Sequence, residues 1–100
     1  MQIVVKGRHM DVDEDLKKYA TDKAKKLIRF YDRIQAIEVV FEEEAGTPTA
    51  EVIVSAEHKN TFIGRDSGAD LYAATDSVVD KLERQLTRYK EKHRNRKHPQ

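Results

Sequence analysis

Apolar residues recur along this chain with two different spacings, and the points where the spacing changes divide it into six elements. Gln2 to Lys6 is a β-branched run closed by Gly7 and predicts a first strand. Leu16, Tyr19 with Ala20, Ala24, Leu27 with Ile28, and Tyr31 then follow at three-to-four-residue intervals, which predicts a helix from about residue 14 to 31. Asp11, Asp13, Glu14 and Asp15 stand just ahead of it, where carboxylates satisfy free N–H groups, and Asp13 is the expected N-cap.

From Gln35 to Glu43 the spacing changes to two: Ile37, Val39 and Phe41 point one way, and Glu38, Val40 and Glu42 the other. After a turn at Gly46-Thr47-Pro48, Ala50 to Glu57 alternates again, with Val52, Val54 and Ala56 inward and Glu51, Ile53, Ser55 and Glu57 outward. His58-Lys59-Asn60 closes a hairpin into a short strand at Thr61 to Arg65. Leu71, Ala74, Val78, Leu82, Leu86 and Tyr89 carry a second helix to about Lys92, and the basic residues beyond it read as a flexible tail over 93–100.

The order β-α-β-β-β-α predicts an α+β domain, with both helices on one face of a four-stranded, mainly antiparallel sheet. Residues 1–92 form the expected domain. Glu38, Glu42, Glu51 and Glu57 are then left on the sheet's open face, which is expected to be acidic.

A net charge of +1 conceals strong segregation. Residues 16–33 hold seven basic groups against two acidic, 34–80 hold two against ten, and 81–100 hold eight against two. On helical wheels, Lys18, Lys25, Lys26, Arg29 and Arg33 form one stripe of the first helix with Lys23 at its flank, and Lys81, Arg84, Arg88 and Lys92 form another on the second. Side by side, the stripes are expected to merge into one positive surface turned away from the sheet carboxylates, an arrangement suited to a polyphosphate and above all to RNA. Ordinary solvated helices also carry Lys and Arg, but they mix in Glu at i,i+4, whereas residues 16–33 hold only Asp22 and Asp32 as acids. Charge by itself leaves RNA, DNA and an anionic membrane surface as alternatives.

Other chemistries find little support. No apolar run approaches the roughly 18–20 residues of a membrane span, and neither a signal segment nor a membrane partner is expected. With no Cys, disulfides, thiolate nucleophiles and the usual zinc sites are excluded, and a reducing, cytoplasmic setting fits. His9, His58, His93 and His98 include no pair at i,i+3 or i,i+4, so no metal site is expected. Glu42-Glu43-Glu44 reads as a solvated strand end, and Gly64-Arg65-Asp66-Ser67-Gly68 lacks the residues of a phosphate-binding loop. No catalytic residue, cofactor or small-molecule substrate is expected. The sheet's open face lacks the Phe or Tyr needed to stack single-stranded RNA; most aromatics fall on inward stripes, and Tyr72 is ambiguous.

The run Asp70-Leu71-Tyr72-Ala73-Ala74, continuing to Lys81-Leu82-Glu83-Arg84-Gln85-Leu86 and Tyr89-Lys90, resembles the ribosome hibernation-promoting factor family, also called ribosome-associated inhibitor or S30EA proteins. The opening Gly7-Arg8-His9-Met10-Asp11-Val12 and the helix with Lys25-Lys26-Leu27 and Arg29-Phe30-Tyr31-Asp32 are similar to its N-terminal half, so the likeness covers about residues 1–92. Thr75 stands where the family often has Ile. The resemblance implies a fold related to double-stranded-RNA-binding domains. It also implies a non-enzymatic factor that lodges in the mRNA and tRNA channel of the small ribosomal subunit, against 16S rRNA, and inhibits translation under stress or in stationary phase. The family's RNA-contacting positions fall here on Arg8, Lys23, Lys26, Arg29, Lys81, Arg84 and Arg88. Long members add a C-terminal dimerisation domain; this chain stops after its second helix, as a short form or an excised domain would. The competing expectations are a protein-interaction module using the acidic sheet face and a general double-stranded-RNA binder.

Overall fold

The computed structural model describes residues 2–96, with side chains through Lys92. Strand β1 (Gln2–Gly7) leads into helix α1 (Glu14–Leu27), then β2 (Ile34–Glu44), β3 (Thr47–Ala56), β4 (Thr61–Ser67) and helix α2 (Leu71–Arg96). The strands lie in the order β1-β2-β3-β4. β1 runs parallel to β2, a pairing that requires a crossover, and α1 supplies it. The other two pairings are antiparallel, so the expected α+β architecture with a mainly antiparallel sheet is the one observed.

Local chemistry sets the element ends. The Asp13 carboxylate accepts from the Leu16 N–H at 2.8 Å and caps α1 as expected. That helix ends at Leu27, about four residues before the apolar spacing does, because Ile28, Arg29 and Phe30 donate to the carbonyls three residues back and tighten the chain into a turn. At the other end of the chain, α2 continues to Arg96, so residues 93–96 of the expected tail are helical, while 97–100 lie outside the described residues.

The β2–β3 turn falls at Ala45-Gly46 instead of Gly46-Thr47-Pro48. Both turn residues have positive φ, 52° and 81°, with Glu44 paired to Thr47 across the hairpin. Two positive φ values match the twist of the flanking strands, but Ala45 bears a Cβ that this region disfavours. Ala45→Gly is therefore expected to raise unfolding free energy by about 1 kcal/mol, read as a higher urea midpoint at unchanged slope.

The core lies between the sheet and the helix layer. Ile37, Val39 and Phe41 of β2, Ala50, Val52 and Val54 of β3 and Phe62 of β4 meet Leu16, Ala20, Ala24 and Leu27 of α1 and Ala74, Val78, Leu82 and Leu86 of α2. The approach of α2 to β4 is close: a Cβ on Gly64 would stand 3.1 Å from Leu82 Cγ and 3.2 Å from Val78 Cγ2. Thr75, at the position where Ile is frequent in the family, is 1% exposed, and its hydroxyl donates to the Leu71 carbonyl at 2.8 Å, so burial leaves no unsatisfied group. Val40 departs from expectation. It lies on the outer sheet face yet is buried, flanked in register by Lys6 and Glu51.

Candidate nucleic-acid interface

Tyr19 of α1 meets Tyr72 of α2 edge-on, with ring centroids 5.0 Å apart, and further along the chain Tyr31 meets Tyr89 at 5.6 Å. The two helices therefore run in the same direction. Both N-termini lie at one end of the layer, where Asp13 caps α1 and Asp70 accepts from the Ala73 N–H at 2.8 Å in α2. Both C-terminal halves lie at the other, with Lys25 and Lys26 in the last turn of α1 and Arg88 and Lys92 on α2. Carboxylates complement the positive dipole ends and cations the negative ones, so one arrangement satisfies both helices and concentrates positive charge at one end.

Within that layer the candidate cations differ in what already holds them. Among the described residues, Lys25, Lys26, Arg29, Arg88 and Lys92 are exposed and form no ion pair. Lys18 pairs with Asp22 at 3.1 Å, Arg84 with Asp80 at 3.2 Å and Arg33 with Glu57 at 3.7 Å, all exposed contacts that solvent weakens. Lys23 is more constrained: it lies 3.3 Å from Asp76, which also accepts from the Tyr19 hydroxyl at 2.6 Å. Hydrogen bonding to Asp76 raises both Lys23 and Tyr19 above their ordinary pKa values. Both keep their protons at neutral pH, and what they contribute to the contact is lost as pH rises through those raised values.

Two expected site residues stand elsewhere. The Arg8 guanidinium is on the outer face of the sheet, 2.9 Å from Glu42 and 3.7 Å from Glu51. Lys81 turns toward the free edge of β4, donating to the Arg65 carbonyl at 3.2 Å and lying 3.5 Å from Asp66. Nor do the two basic stripes merge. Asp76, Asp80 and Glu83 line the seam between the helices and separate the cations of α1 from those of α2. The outer sheet face differs from expectation as well. Glu38 is 2.7 Å from Lys6, and Arg65 bridges Glu42 at 3.0 Å and Glu44 at 2.6 Å, so the face is a cross-strand lattice of both signs. Glu57 lies beyond the end of β3, in a 3-10 turn.

A groove follows the helix seam. Glu83 lines two adjoining hollows of it, one of about 450 Å³ with Lys26 on the opposite wall and one of about 320 Å³ with Phe30, Arg84 and Arg88. Phe30 and Glu83 escaped the sequence reading. Phe30, like Tyr31, is half-buried against the core, and it also lines the smaller hollow. Among the described residues no group of His, Asp and Glu is arranged to hold a metal ion, and no helix is long and apolar enough to cross a membrane.

The fold and this surface together define a small α+β domain whose paired, parallel helices present a grooved cationic end. Residues 3–94 match the sequence profile described as Sigma 54 modulation protein / S30EA ribosomal protein, and the chain belongs to that family. It is 35% identical over 92 residues to the ribosome hibernation promoting factor of Escherichia coli, covering 92% of this chain and 96% of that one. Identity to the factor of the same name from Azotobacter vinelandii is 35%, covering 92% and 85%. Among solved structures it is similar to a ribosomal subunit interface protein from Coxiella burnetii, with a TM-score of 0.80 at 26% identity over 91% of this chain and 99% of that one. It is likewise similar to the N-terminal domain of Thermus thermophilus Protein Y, with a TM-score of 0.74 at 31% identity, covering 88% and 94%.

Proposed function

We propose that this protein is a ribosome-binding hibernation factor. It acts in the cytoplasm without catalysing a reaction, lodging in the mRNA and tRNA channel of the small subunit against 16S rRNA and blocking translation by occupying that space. The observation that carries the reading is the set Lys25, Lys26, Arg29, Arg88 and Lys92 at one end of the helix layer, cations that form no ion pair among the described residues. Such groups exchange condensed counterions for phosphate contacts without first breaking an internal ion pair. The names of the relatives, which speak of ribosome hibernation and of the ribosomal subunit interface, support the same partner. An acidic sheet face recruiting a basic protein fits less well, because Glu38, Glu42 and Glu51 already have cationic neighbours on that face.

Sucrose-gradient sedimentation of ribosomes with added protein, together with cell-free translation, tests the reading. The expected result is protein in the small-subunit fraction and a fall in translation; protein remaining at the top of the gradient with unchanged translation refutes it. Five phosphate contacts predict a slope of log affinity against log salt of about −3.5 to −4.5, so affinity should fall by about two orders of magnitude between roughly 50 and 200 mM salt.

A further inference from the structure

Glu83 is anomalous for a surface that binds only phosphate. It lies in the middle of the groove, with Lys26 across one hollow and Arg84 and Arg88 in the other, yet forms no ion pair among the described residues. Its seam neighbours are engaged: Asp76 holds Lys23 and Tyr19, and Asp80 holds Arg84. A free carboxylate in that position repels a phosphate backbone and lowers affinity unless it accepts hydrogen bonds from the ligand. An ionised carboxylate accepts only, through two oxygens that match two parallel donors. Guanine alone among the four RNA bases offers two adjacent N–H donors, N1–H and N2–H, on its Watson–Crick edge. Adenine and cytosine place an acceptor beside their amino group, and uracil has one donor between two acceptors. Half-buried Phe30 lies in the same hollow as Glu83 and gives an unstacked base an aromatic surface.

We propose that this part of the groove binds one unpaired guanine nucleotide of the RNA, with Glu83 accepting from N1–H and N2–H, Phe30 stacking on the base, and Lys26 and Arg88 holding the flanking phosphates. The inference rests on the ribosomal reading above and adds a base-specific contact to it.

The test is the neutral, isosteric variant Glu83→Gln, its folding checked by circular dichroism. Electrostatics without base recognition requires that removing a negative charge tighten binding to small subunits. Base recognition requires the opposite, a loss of about 10-fold, the size expected for one bidentate contact to a base. Kethoxal, which adds to N1 and N2 of unpaired guanines, is the second readout. Wild-type protein should protect at least one guanine that becomes reactive again with Glu83→Gln, while the remaining footprint persists. Phe30→Leu, which keeps an apolar side chain against the core, should weaken binding and expose the same guanine. Equal or tighter binding by Glu83→Gln, or a footprint identical to wild type, overturns the proposal. If the double reversal Lys26→Glu/Arg88→Glu keeps wild-type affinity, the ribosomal reading itself fails, which is a separate and distinguishable result.

Discussion

The double variant Lys26→Glu/Arg88→Glu is expected to sediment apart from the small ribosomal subunit while remaining folded. The two side chains come from different helices, both are exposed, and neither forms an ion pair among the described residues. Reversal therefore breaks no ion pair among the described residues. It removes two charge-assisted hydrogen bonds to phosphate, each worth roughly 1.5–3 kcal/mol, and puts repulsion in their place. Affinity should fall on the order of 100-fold or more, and a far-ultraviolet spectrum and unfolding midpoint close to wild type should accompany the loss. Lys81→Ala should cost less affinity than Arg88→Ala and should leave the salt slope nearly unchanged, because Lys81 already donates to the Arg65 carbonyl on the edge of β4. Retention of the double reversal in the small-subunit fraction would contradict the assignment of this surface.

Leu82→Ala should act on stability instead. Leu82 is fully buried and packs where α2 lies close against β4, beside Gly64. Since Gly64 contributes no side chain, the strand position that faces Leu82 has nothing to fill the space left by the truncated residue. The expected cost is about 2–5 kcal/mol, a large part of the roughly 5–15 kcal/mol that holds a domain of this size together. In thermal unfolding this corresponds to a midpoint lowered on the order of 10–30 °C. Binding measured at low temperature, where the variant is still folded, should be close to wild type, since Leu82 reaches no part of the cationic surface. An unfolding midpoint within a degree or two of wild type would contradict the packing described for α2.

Several features of the structure were legible in the chain because they depend on near neighbours. The Asp13 cap follows from a carboxylate three residues ahead of a free N–H, and the inward positions of β2 and β3 follow from alternation. The crowding of Lys and Arg into residues 16–33 and 81–100 was equally plain. Less legible was which of those cations remain free. Glu42, far from Arg8 in sequence, neutralises it only because β1 lies beside β2. Lys81 shares a helical stripe with Arg84 and Arg88, but the way α2 rests on the sheet turns it toward β4. The same rotation brings Asp76, Asp80 and Glu83 to the seam and keeps apart two stripes that were expected to merge.

Sequence alone thus determined the order and type of the elements, their apolar faces, the family and the helices that carry the positive charge, because periodicity, capping and composition act over a few residues. Tertiary structure decided which charges are spent on internal partners, that the two helices run in the same direction, and that Phe30 and Glu83 share one groove. Those outcomes depend on distances between residues remote in the chain, and such distances exist only after the sheet has fixed where each helix lies and which side it turns to the solvent.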